Sequence, residues 1–245
     1  MLHSVGVAVF VPRLRSIVLA VVVGLGSFMG VVQAAPVLAA HSSPPACRYD
    51  DVLTAPRAYT DWNTTLLDTI YALPKSYRPP GLVSTAKAGL SGGGEVRSFV
   101  IADLAAMAKA ARQAGAAVRV VSAYRSYAYQ VGLFQREVDR KGMAVAKRSV
   151  ARPGHSEHQL GVTIDFGAAG APGVVSQRFA TTAAGRWMRH NAWKYGWIMS
   201  YPSGKTAKTC YYSEPWHYRY VGPEMAAKVH ASGETLREYI WQHGQ

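Results

Sequence analysis

A chain of 245 residues, 49% apolar and 11% aromatic, has the composition of a globular protein and is long enough for one domain with a substantial core. Its 27 Lys and Arg against 14 Asp and Glu give a formal net charge of +13, which suits anionic surroundings such as wall polymers and lipid headgroups. The basic residues are scattered, with no basic stripe interleaved with aromatics, so nucleic acid is not expected as a partner.

The first element is a leader. Arg13 and Arg15 precede an apolar run from Ile17 to Val32 and then small residues, the order of a secretory signal peptide. Residues 1–34 are read as that peptide, with cleavage after Ala34 or as late as residue 40. An uncleaved anchor is the alternative, but the run is slightly short for a full span, so no stable membrane span is expected after cleavage. Residues 35–61, with "HSSPPACRYD", form an Ala/Pro/Ser-rich arm, and residues 62–245 the domain. Cys47 and Cys210 are the only cysteines; in an exported chain they most simply form one disulfide, the alternative being two free, distant thiols.

Within the domain "TLLDTIYALP" has a helical pattern, "KSYRPPGLVS" is proline-stiffened and extended, and "GLSGGGEVR" is a glycine-rich turn. "SFVIADLAAMAKAARQAG" spaces Val100, Leu104, Met107 and Ala111 as the buried face of a helix, which Gly115 stops. "AAVRVVSAY" reads as a strand. Ser126 caps a second helix, "YAYQVGLFQREVDRKG", with Val131, Phe134 and Val138 as its buried stripe. "GVTIDF" is a strand, "RFATTAAGRWMRHNAWKYG" a helix ending at Gly196, "WIMSYP" and "WHYRYVG" are strands, and "PEMAAKVHASGETLREYIWQHG" is helical. Helices and strands alternate irregularly, which predicts an α+β fold with a mostly antiparallel sheet flanked by helices.

Three clusters carry chemistry. In "RPGHSEHQLGVTIDF", Asp165 lies inside an apolar strand, where a carboxylate is costly unless paired or bound to a metal. His158 can return past a turn at Gly161 to the same place, and imidazole with carboxylate is a common zinc pair. An arginine partner for Asp165, with His158 merely packing, is the alternative. "SEPWHYRYVG" then adds Glu214 and His217: His158, Asp165 and His217 would be three ligands and Glu214 a general base, the composition of a zinc hydrolase site. In "SAYRSYAYQ", Arg125 stands where a strand gives way to a helix and could hold a carboxylate or an oxyanion. His155 is a weaker ligand candidate; His190, His230 and His243 read as surface or packing residues. Glu157 is either a partner of a ligand or a solvated turn residue.

Taken in order, "SAYRSYAYQ", "PGHSEHQLGVTIDF", "WKYGWIMSYP" and "EPWHYRYVG" resemble the VanY-type D-alanyl-D-alanine carboxypeptidases, over about Trp62 to Ile240. The resemblance implies a Hedgehog/DD-peptidase-like fold and release of the C-terminal D-alanine from peptidoglycan stem peptides, with D,D- or L,D-specificity open. It implies one Zn2+ on His158, Asp165 and His217, Glu214 as catalytic base, and Arg125, Gln130 and Ser156 lining the substrate site. The protein is then expected to be a monomer, secreted or in a bacterial cell envelope, with the stem peptide as its partner. Thr163 stands where alanine is usual and Trp197 where phenylalanine is usual, departures that bear on packing.

Rival readings remain. A serine peptidase would use "STAK" at Ser84 and Lys87, faintly supported by Lys205, but "AGLSGGG" cannot continue the buried helix such a serine needs. A catalytically silent, zinc-stabilised wall-binding protein would not need Glu214. A peptidoglycan endopeptidase is the third.

Overall fold

The computed structural model describes residues 1–2, 43–53, 61–171 and 173–244. Met1–Ala40 is one unit, of which only residues 1–2 are described, and His41–Gln245 is the other. The expected signal peptide therefore lies outside the described residues, apart from its first two. Among those described, no helix is long and apolar enough to cross a membrane.

The arm enters through β1 (Val52–Leu53), which pairs in parallel with β2 (Tyr71–Ala72). Here "TLLDTIYALP" is not the helix its pattern predicts. Asp68 Oδ1 accepts from the backbone amides of Ile70 (2.7 Å) and Tyr71 (2.9 Å), a local turn that takes donors away from a helix. Arg237 Nε fixes the other carboxylate oxygen at 2.6 Å.

β3 (Leu82–Ser84) and β4 (Glu95–Arg97) form an antiparallel hairpin. Its glycine loop lies against the main sheet: Ser91 O accepts from Val120 N at 2.8 Å. At Gly92, with φ +107°, a Cβ would fall 1.8 Å from Val120 O, so only glycine fits this approach. α1 (Ile101–Gln113) follows, with Leu104, Met107 and Ala111 buried as the spacing predicts and Val100 buried just before it. β5 (Val118–Ser122) leads to α2 (Tyr127–Lys141), capped by Ser126 Oγ, which accepts from Tyr129 N at 3.2 Å.

The stripe expected on α2 is not buried: Val131 is exposed, and Phe134 and Val138 are half-buried. The residues α2 buries are Gln130 and Glu137. Glu137 accepts from Ser149 Oγ (2.8 Å) at the end of α3 (Met143–Ser149) and pairs with Lys141 (2.9 Å). The helix packs through polar heads against a short helix that the sequence pattern did not show.

β6 (Thr163–Ala168) is central in the main sheet. α4 (Ala183–Asn191), capped by Thr182, and a 3-10 turn ending at Gly196 lead into β7 (Trp197–Met199). α5 (Thr206–Thr209), β8 (His217–Tyr220), α6 (Pro223–Ser232) and α7 (Leu236–His243) complete the chain. Gly233 divides the expected C-terminal helix, and Thr235 and Glu238 restart it with a capping box. The sheet order is β5-β6-β8-β7, antiparallel throughout, in agreement with the expected α+β class.

Strand periodicity separates two faces. Ile164, Phe166, Tyr218 and Tyr220 join Leu104, Met107 and Met188 in the hydrophobic core. Asp165 and His217, directly opposite each other on β6 and β8, therefore share the other face. An irregularity in β5 between Val120 and Ser122 brings Ser122 opposite Asp165, the kind of local shift that re-aims side chains near a site.

Cys47 and Cys210 are joined, with Cα atoms 5.3 Å apart. The bridge ties the arm to the loop before β8, and Arg237 Nη2 adds a bond to Pro45 O at 2.9 Å. Reduction is expected to lower stability by about 2–4 kcal/mol, read as a fall in melting temperature. Bound metal should stay in place, since no cysteine belongs to the candidate ligand set; metal loss on mild reduction would contradict that set.

Candidate metal centre and cleft

His158 is set by backbone geometry. It lies in a 3-10 turn, Glu157–Leu160, closed by Gly161 in the left-handed region, where a Cβ would meet Pro79 Cγ at 2.9 Å. Its Nδ1 is 2.6 Å from Ala123 O; a carbonyl only accepts, so this nitrogen carries the proton and Nε2 presents a lone pair. That Nε2 is buried without a hydrogen-bond partner, 3.2 Å from Asp165 Oδ1. His217 Nε2 donates to Glu157 Oε2 at 2.8 Å, while its Nδ1 lies 3.1 Å from Asp165 Oδ1 and 3.5 Å from Glu214 Oε2. The two imidazoles meet edge to face, with ring centroids 4.9 Å apart.

One ligand atom from each of His158, Asp165 and His217 lies within 4.8 Å of the others. A bare imidazole nitrogen facing a buried carboxylate and a second imidazole suits a divalent metal of the zinc type, and two nitrogens with one oxygen is a donor set catalytic zinc accepts. The three residues fit the ion. The arginine of the alternative is present too, although His158 does not merely pack: Arg125 Nη1 lies 3.3 Å from Asp165 Oδ2 and donates to Ser122 Oγ at 3.2 Å. Each Asp165 oxygen thus has its own set of partners.

The electrostatics follow from burial and these contacts. Burial and the Arg125 charge push His158 down to about 4, against Asp165, so its imidazole is neutral. Burial opposes the charge on His217, but hydrogen bonds to Asp165 and Glu157 outweigh it and hold the imidazole up at about 10. Burial likewise works against Asp165, yet His158, His217 and Arg125 keep its carboxyl well below the usual range. Glu214 differs. Burial raises its carboxyl to about 7, with His217 and Arg125 opposing and Asp165 and Glu157 adding repulsion, while its side chain stays 17% exposed.

Asp165, His217 and Glu214 open on a cavity of about 420 Å³, lined also by Arg125, Ser156 and Trp216, with His158 buried behind them. A larger cavity of about 500 Å³ between α4 and α6 contains none of the candidate ligands; the smaller one carries the chemistry. Gln130 does not line it. Its Nε2 donates to Ala151 O at 2.7 Å, and Ala151 is part of the wall.

Glu157 turns out to be a central residue. It is buried, accepting from Ser200 Oγ (2.6 Å) and His217 Nε2 (2.8 Å) and pairing with Arg219 Nη1 (3.1 Å). Burial raises its carboxyl, but His217, Arg219 and Ser200 bring it down to about 2. His155 is committed elsewhere, to Asp68 O (2.7 Å) and Asp51 Oδ1 (2.9 Å). Ser84 only caps a 3-10 turn through Ala86 N at 3.2 Å, which gives the serine-peptidase reading no support.

A family model for VanY, D-alanyl-D-alanine carboxypeptidase, matches residues 94–223. The Bacillus subtilis (strain 168) protein YodJ is 39% identical over 180 residues, 71% of this chain and 66% of its own length. Among solved structures, the LdcB LD-carboxypeptidase, described for its peptidoglycan recognition, superposes with a TM-score of 0.68 at 37% identity, covering 74% of this chain and 87% of its own. A mutant of the vancomycin-resistance D,D-pentapeptidase VanY in complex with Zn(II) gives 0.62 at 33% identity, covering 73% and 99%.

Proposed function

Because the chain belongs to the VanY D-alanyl-D-alanine carboxypeptidase family, we propose that it is a zinc-dependent carboxypeptidase releasing the C-terminal D-alanine of peptidoglycan stem peptides outside the cell membrane. The observation that supports this most is the convergence of His158 Nε2, Asp165 and His217 Nδ1 beside a Glu214 carboxyl raised to about 7. A zinc ion on these three side chains would supply Lewis-acid polarisation of the scissile carbonyl and lower the pKa of water. Glu214 takes a proton from water in the cleft and passes it to the departing amine, work suited to a carboxylate poised near neutrality. Arg125, anchored by Asp165 and Ser122, steadies the terminal carboxylate or the oxyanion. Ser156 and the Ala151 main chain held by Gln130 position the peptide.

Incubating the protein with zinc and with stem pentapeptide or tetrapeptide, then weighing the products, tests the reading. One alanine should be lost, a chelator should stop the reaction, added zinc should restore it, and a β-lactam should have no effect. The preferred peptide assigns D,D- or L,D-specificity. Absence of release from both, or acylation by the β-lactam, would overturn the proposal.

Metal affinity should depend on pH. With its imidazole held at about 10, His217 is doubly protonated in the metal-free protein at neutrality and must release the Nδ1 proton to become a ligand. Zinc affinity is therefore expected to rise about tenfold per pH unit between about pH 6 and 9. Chelator competition across that range checks it, and a flat profile would show that His217 has no second proton to release.

A further inference from the structure

Each half-cystine is followed two residues later by an exposed tyrosine: Tyr49 after Cys47 and Tyr212 after Cys210. Two cations face these rings. Lys147 Nζ lies 4.9 Å from the Tyr49 centroid and the Arg148 guanidinium 4.7 Å from that of Tyr212; Tyr212 N donates to Arg148 O at 2.9 Å. Among the described residues neither Lys147 nor Arg148 has an acidic partner within ion-pair distance. The disulfide joins the two tyrosine-bearing segments, and the Tyr212–Arg148 backbone bond with the adjacent Lys147 ties the cations to them, so the groups form one patch.

The patch continues the cleft along two chain segments. Ser149, Val150 and Ala151 line the cavity directly after Arg148, and Tyr211 lines it directly before Tyr212. A cavity of about 420 Å³ encloses a ligand of drug size, whereas a stem peptide still joined to its sugars is longer and must leave across a rim. The exposed tyrosine rings suit sugar rings, and the two cations, each over a ring and without an acidic partner among the described residues, suit carboxylates.

We propose that Tyr49, Tyr212, Lys147 and Arg148 form a binding rim for the sugar- and carboxylate-bearing part of a wall glycopeptide upstream of the scissile bond, with the disulfide holding the arm's share of the rim in place. The assignment rests on the carboxypeptidase reading for the direction of the substrate. It makes the arm part of the recognition surface.

Steady-state kinetics on two substrates test it: a blocked tripeptide ending in the D-alanine the enzyme releases, and the full stem peptide carrying its wall disaccharide. Tyr49→Ala and Arg148→Ala should each raise KM for the disaccharide peptide about fivefold, with kcat on it unchanged and kcat/KM for the tripeptide within about twofold. The double variant Cys47→Ser/Cys210→Ser should reproduce the Tyr49→Ala effect. Equal KM changes on both substrates, or none on either, would overturn the rim. Weakened retention on sacculi carrying phosphate polymers, with KM unchanged, would assign the patch to those polymers instead. Should the wild-type chain cleave neither substrate, the carboxypeptidase reading fails by itself; calorimetric binding of the uncleaved disaccharide peptide, tighter to wild type than to Tyr49→Ala, would still support the rim, and equal binding would end it.

Discussion

Glu214→Ala is expected to keep its metal and lose turnover, kcat falling about a hundred- to ten-thousandfold, the usual range for removing a general base. Glu214 stands 3.5 Å from the candidate ligand His217 without belonging to the group of converging ligand atoms, so its loss removes a proton carrier and leaves the metal's donors in place. His217→Ala should behave differently and lose metal and activity together. Metal analysis beside the assay separates the two. Near-normal kcat in Glu214→Ala would refute the base assignment, and metal loss would make Glu214 a ligand.

The same carboxyl predicts a pH dependence. Raised to about 7, it is the deprotonated base only above that value in the metal-free protein, and a bound cation brings it back down from there. The rate should therefore rise with pH along an acid limb at or below about 7. Between the unfolded value near 4.5 and about 7, the folded metal-free state binds the extra proton, so this group's contribution to stability falls as pH rises through that window.

What the sequence revealed tracks how local each determinant is. The α1 stripe, the Ser126 cap and the Gly196 stop are set within a few residues, and they stand as expected. The meeting of His158 and His217 with Asp165 was foreseen because a buried carboxylate in an apolar strand needs a partner, and the strand register sets His217 directly opposite it. "TLLDTIYALP" misled because apolar spacing does not register that the Asp68 side chain captures two backbone amides and is itself held by Arg237, far along the chain. The α2 stripe misled for the opposite reason: its apolar positions are exposed or half-buried, and the Glu137 it buries is held by Ser149 at the end of α3. Glu157 was ambiguous because its meaning lies in Ser200, His217 and Arg219, 43, 60 and 62 residues away. A turn glutamate beside a histidine carries no such information.

Glu157 carries the second large effect. In Glu157→Ala, His217 loses the acceptor that orients its ring, and Arg219, fully buried, keeps, among the described residues, backbone acceptors alone, such as Trp62 O (2.7 Å) and Thr65 O (2.8 Å). Breaking a buried pair in this way costs about 3–5 kcal/mol, and loss of the group orienting a metal-bound histidine weakens metal binding about 10- to 100-fold. Glu157→Gln should lose less, because an amide oxygen can still accept from His217 Nε2 while the charge is gone. Acid sensitivity should change too: with its carboxyl at about 2, Glu157 contributes stability above the unfolded value near 4.5 that is lost as pH falls from there towards about 2, so the alanine variant should unfold less steeply across that interval. Denaturant unfolding of the metal-free proteins at several pH values, with zinc competition at neutral pH, reads both effects. A variant within about 1 kcal/mol of wild type and with unchanged zinc affinity would show that His217 is held by Asp165 alone.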